Sequence, residues 1–138
     1  MENPVPVPDD VLEILKRDHI VRTAIEDQVV PSGRPPQNWF SAALVHLGSR
    51  NLVDLVVAAK GPLAGGNVLT FWVFLATAHG HHLVMTASVH NLRIEKTRQK
   101  GYRDIEVSSM SAIKLSTVLC QFNGEQYVEY RSSVKPIR

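Results

Sequence analysis

The sequence predicts an α+β domain that is mainly antiparallel β, with one N-terminal helix followed by about eight strands in two four-stranded pseudo-repeats. Three observations predict it. Apolar residues recur at helical spacing over residues 11–30, short β-prone runs alternate with turn residues over 39–132, and several of those turns carry hairpin signals.

The chain opens with Glu2-Asn3-Pro4-Val5-Pro6-Val7-Pro8, where three prolines withhold backbone donors and favour extended dihedrals. Residues 1–8 are therefore expected to form a loose, unpaired lead. No basic stretch runs into an apolar one here, so the lead reads as the start of a mature chain behind an added Met rather than as a signal peptide. One helix is expected over residues 9–30. Asp9 or Asp10 caps its first turn, and Val11, Leu12, Leu15, Ile20, Ala24, Ile25 and Val29 form a buried stripe opposite Glu13, Lys16, Arg17, Arg22, Glu26 and Asp27. Pro31-Ser32-Gly33 and Pro35-Pro36 end it.

Strands are then expected in pairs. Phe40–Leu47 and Leu52–Ala59 flank Gly48-Ser49-Arg50-Asn51, and Val68–Ala78 and His81–Val89 flank His79-Gly80. Leu92–Thr97 and Ile105–Ser109 flank a basic loop. Ile113–Phe122 and Gln126–Ser132 flank Asn123-Gly124, the strongest hairpin signal in the chain because both residues tolerate positive φ.

A chain of 138 residues with 44% hydrophobic and 20% charged residues fits a single globular domain spanning 1–138. Its longest apolar stretches, Leu52–Ala59 and Val68–Ala78, are interrupted by Asp54, Thr70 and Thr77 and are too short for a spanning helix. A net charge of +2 is too small to predict a polyanionic partner. The single cysteine, Cys120, excludes an intrachain disulfide, and the run Val118-Leu119-Cys120 suits it as a small core residue.

The two halves of the strand region resemble one another. Asn51-Leu52-Val53-Asp54-Leu55-Val56-Val57 matches Gly101-Tyr102-Arg103-Asp104-Ile105-Glu106-Val107, and Gly80 matches Gly124 further on. The stretch Val45-His46-Leu47-Gly48-Ser49-Arg50-Asn51-Leu52-Val53-Asp54-Leu55-Val56-Val57 resembles the strand-loop-strand core of FG-GAP or VCBS repeats, and residues 40–130 resemble uncharacterised, often exported bacterial proteins. The resemblance implies a β-sheet module and a periplasmic or secreted location. It does not carry over calcium binding, because Arg50 stands where that family's loop needs an oxygen ligand. Two repeats also cannot close a propeller.

Four groups of residues are candidates for chemistry. His79, His81, His82 and His90 sit close in sequence and are transition-metal ligands by type, yet strand alternation sends His81 and His82 to opposite faces, so a solvated hairpin tip explains them as well. Arg98, Lys100 and Arg103 belong to a basic run with Arg93, Lys96 and Tyr102 that suits phosphate or nucleic acid, against the plainer reading of a solvated loop. Asp54 and Asp104 interrupt apolar strands and are expected to accept backbone hydrogen bonds at their turns, with acid/base catalysis as the alternative. Gly61-Pro62-Leu63-Ala64-Gly65-Gly66-Asn67 lacks the Gly-Lys-Ser/Thr ending of a phosphate loop and reads as a connection.

Alternation places Phe71 and Val73 on one face of their strand and Trp72 and Phe74 on the other, so both faces need cover. The helix suits one. The second sheet or a homodimer suits the other. The sequence is therefore read as a non-enzymatic binding or interaction module with an unknown protein or small-molecule ligand and no cofactor, with metal binding by the histidine cluster ranked third and nucleic-acid binding by the basic loop fourth. The alternative is a cystatin-like or NTF2-like enzyme or ligand binder, whose helix-over-sheet cone would be lined by Trp72, Phe74, His46 and Asp54.

Overall fold

The computed structural model describes residues 4–48, 51–64 and 68–137. Two helices, α1 (Asp9–Leu15) and α2 (His19–Asp27), precede eight strands: β1 (Phe40–Val45), β2 (Asp54–Ala59), β3 (Leu69–Thr77), β4 (Gly80–Val89), β5 (Asn91–Gln99), β6 (Tyr102–Met110), β7 (Lys114–Phe122) and β8 (Tyr127–Pro136). Strands β1-β2-β3-β4 form one antiparallel meander and β5-β6-β7-β8 a second. The α+β class and the two four-stranded units are as the sequence predicts.

The expected single helix is broken. α1 stops at Leu15 with Lys16 as its C-cap, and Asp18 caps α2, its Oδ1 accepting the Ile20 and Val21 amides at 2.9 and 3.4 Å. The reason is phase: a stripe through Val11 and Leu15 carried on without a break lands on Asp18, His19 and Arg22 rather than on apolar residues. Restarting the helix brings Val21, fully buried, together with Ala24 and Ile25 onto the core. Neither aspartate caps α1, whose N-cap is Pro8. Asp10 instead reaches the β3–β4 hairpin, where its Oδ2 accepts the His81 amide at 2.8 Å and the His81 Nδ1 at 2.9 Å. Gly80, at φ 124°, makes room for that carboxylate, since a Cβ there would lie 3.0 Å from Oδ2.

The N-terminal lead is not loose over its described part. Val5 donates to the Ala42 carbonyl at 2.8 Å, blunting the open edge of β1. Val7 is buried, and its backbone amide and carbonyl both bond the Gln37 side-chain amide.

The elements stack as helices, first sheet and second sheet. One core lies between the helices and the first sheet, built on Val11, Leu15, Val21, Phe40, Leu55, Val57, Trp72 and Phe74. The other lies between the sheets, built on Val56, Val73, Leu75, Ile105, Val107, Cys120 and Phe122. Being covered on both sides explains why all six residues of β2 are buried. The expected alternation of Phe71 and Val73 against Trp72 and Phe74 holds, and the second sheet of the same chain covers the Phe71 face. No second copy is needed there.

The helix-over-sheet cone is filled rather than hollow. Trp72 and Phe74 are 0% exposed, Trp72 meets Phe40 edge-on at a centroid distance of 5.9 Å, and the Trp72 Nε1–H donates to Asp18 Oδ2 at 3.0 Å. Strands β5, β6 and β8 also run beyond their expected ends. β6 starts at Tyr102 because Gln99↔Tyr102 and Arg98↔Arg103 pair around the Lys100-Gly101 turn, and β8 reaches Pro136 because it pairs with β7 along its whole length.

Candidate functional site

The inner face of the first sheet is unevenly filled. Towards β3 and β4 it carries Val73, Leu75 and Val84, which meet Ile105 and Phe122 across the sandwich. Towards β1 and β2 its residues are small, and Ser41, Ala43 and Ala58 leave the sheets apart along that flank. The result is an open cleft of about 480 Å³, walled by Val45, Val56, Leu69 and Phe71 on one side and by Leu92 and Ile94 of β5 on the other. Lys60, His90 and Asn91 also line it. This size and an apolar lining with few polar groups suit a small-molecule ligand. Such a site works by desolvation, because it offers a matching ligand more apolar contact than water does.

The other flank, between β4 and β8, is a cleft of about 530 Å³ that runs over Val84, Val107, Val118 and Cys120. Burial pushes the Cys120 thiol pKa up, and the nearby Glu129 charge adds to the rise, so this cysteine is a core residue and a poor nucleophile. A wider depression of about 730 Å³ at one end of the sandwich is lined by Leu75, His82, Lys100, Tyr102 and Phe122. It also takes in Leu52, close to residues 49–50, which lie outside the described residues.

The structure scatters the residues proposed for the cone. Trp72, Phe74 and Asp54 are fully buried, and only His46 is exposed. Asp54 is a structural acceptor, as expected. It opens β2 and takes the Leu47 amide at 3.1 Å and the Ala76 amide at 2.9 Å, which ties the ends of β1 and β3 to it. Asp104 holds the matching place on the second strand of the second sheet, and its bonds come from side chains instead: Thr97 Oγ1 at 2.6 Å and Gln121 Nε2 at 3.4 Å.

The histidines do not converge either. His79 is in the β3–β4 turn, His81 is bound to Asp10, His82 lines the end depression, and His90 follows the far end of β4. There the Met110 amide donates to His90 Nδ1 at 2.7 Å, which uses up one of its two ring nitrogens. Among the described residues no group of three or more His, Cys, Asp or Glu side chains could hold a metal ion.

Two of the three basic candidates serve the fold. Arg98 Nη1 donates to the carbonyls of Leu47 and Gly101, both at 3.1 Å, and so fastens the end of β1 to the β5–β6 hairpin. Arg103 Nε donates to the Glu95 carbonyl at 2.6 Å, inside the irregular part of β5. Both guanidinium groups bond backbone carbonyls, with Arg98 and Lys100 exposed and Arg103 half-buried. Sequence reasoning missed the cleft. Its one visible signal was the run of small residues at Ser41, Ala43 and Ala58, whose shared face depends on the β1–β2 register.

No protein-family model, no curated protein and no solved structure matches the chain.

Proposed function

We propose that this protein is a non-enzymatic binding module that holds an apolar small molecule with a polar head between its two sheets. The observation that carries the reading is the flank where Ser41, Ala43 and Ala58 stand in place of larger core residues, leaving about 480 Å³ of apolar cleft. Lys60 and His90 at that cleft give a head group its hydrogen-bond donors. A periplasmic or secreted location in the bacterial envelope is part of the proposal, on the resemblance of Val45–Val57 to FG-GAP and VCBS strand repeats.

Titration with the solvatochromic probe N-phenyl-1-naphthylamine tests this. Saturable fluorescence enhancement at one site per chain is expected, displaced by a medium-chain fatty acid. Ala43→Leu, which fills the cleft from β1, should weaken binding at least tenfold with an unchanged circular dichroism spectrum. An absence of saturable binding, or equal binding by the Ala43→Leu protein, refutes the reading.

A further inference from the structure

A separate groove lies on the opposite side of the second sheet, facing solvent. The outward residues of β5 to β8 form a groove of about 590 Å³ with Asp104 in its floor. Asp104 is 2% exposed, and while its Oδ2 takes bonds from Thr97 and Gln121, its Oδ1 is buried with no hydrogen-bond partner. A carboxylate oxygen stripped of water and left unbonded is costly, and native structures rarely keep one without a use. Asp54 at the matching place, by contrast, accepts a backbone amide at each of its oxygens.

The chemistry around that oxygen limits what completes it. Glu95 and Glu106 both face the Arg93 guanidinium, at 2.9 and 3.9 Å, and Arg131 adds a further cation to the groove, so neither sign of charge dominates. A polyanion or a polycation finds no matching field there. The groove instead mixes acceptors with the donors of Arg131 and Gln121, and beside them Tyr130 leaves 63% of its surface exposed. Hydroxyl groups both donate and accept, and an aromatic ring offers a flat apolar face for C–H groups. Both side-chain bonds fall on Asp104 Oδ2, and their donors Thr97 and Gln121 line the groove with Asp104, leaving Oδ1 as the carboxylate's open acceptor.

We infer that this groove binds a neutral polyhydroxylated ligand, an oligosaccharide segment, with one sugar hydroxyl donating to Asp104 Oδ1 and a ring face resting on Tyr130. Isothermal titration of the whole protein with maltohexaose, cellohexaose, laminarihexaose and chitohexaose, and separately with spermidine, tests it. Saturable binding of at least one hexaose is expected. Asp104→Asn places an N–H where the free acceptor stood and should weaken that binding at least tenfold. Tyr130→Ala, at an exposed position, should weaken it at least tenfold with the fold intact, and it decides the matter if the Asp104→Asn protein does not fold. Binding of no hexaose, binding of spermidine alone, or hexaose binding unmoved by Tyr130→Ala overturns the inference and leaves Asp104 Oδ1 to an ordered water.

Discussion

Asp18 is where a single atom pair decides how the helical layer sits on the first sheet. Its Oδ1 caps α2 and its Oδ2 takes the indole N–H of the fully buried Trp72. Asp18→Ala removes both. Loss of the cap costs about 1 kcal/mol, and an indole N–H left without an acceptor in the core costs roughly 1–3 kcal/mol more. The sum, about 2–4 kcal/mol, is a large part of the ~5–15 kcal/mol that holds a domain of this size together. Asp18→Asn separates the two terms. Its one carbonyl oxygen still caps the helix, but its amide group turns a donor towards the Trp72 donor, so most of the larger cost remains. Urea unfolding followed by tryptophan fluorescence and by far-ultraviolet circular dichroism reads both variants. If Asp18→Ala unfolds within about 0.5 kcal/mol of the parent, a difference typical of surface changes, the account of the helix break is refuted.

Two further outcomes follow from the same reasoning. Asp54→Ala should destabilise by about 2–5 kcal/mol, since the Leu47 and Ala76 amides both lose their buried acceptor, and denaturant midpoints with an unchanged slope would check it. The Asp10–His81 clasp should act through pH. Burial works against the Asp10 carboxylate, but the hydrogen bonds from the His81 ring and amide and the His81 charge outweigh it and hold its pKa below the ordinary aspartate value of 3.8. A lowered folded pKa means that the contribution is present above about pH 3.8 and is lost as pH falls through the folded value. With the Asp10 side chain 44% exposed the effect is screened, so Asp10→Asn should cost under about 1 kcal/mol at pH 6 and nothing at the acid end of a stability-against-pH series.

The strand region was legible in the sequence because its signals are local. Gly80 and Gly124 take the positive φ that their turns require, and every paired run is joined to its neighbour by a short connection that leaves antiparallel pairing as the simple outcome. Asp54 and Asp104 could be placed as twins from the repeated Asp-Ile/Leu pattern alone. The helix was misread for an equally local reason: apolar spacing was followed across Asp18, where the slip of the stripe marked a restart. The basic run was harder to read. Nothing in the order Arg98-Gln99-Lys100-Gly101-Tyr102-Arg103 says that two guanidinium groups will be taken by carbonyls, one of which, at Leu47, lies in the connection after β1.

By itself, then, the amino-acid order determined the elements, the pairing of neighbours and the faces of β3, since these depend on dihedral preference and on a side-chain period of two. What the tertiary structure alone decided is where the space lies. Whether Trp72 lines a cavity or fills one, whether Ser41, Ala43 and Ala58 share an opening, and whether Asp104 keeps an unbonded oxygen all depend on how far apart two layers come to rest. That spacing is set by the summed volumes of residues distant in the chain, and no local pattern records it.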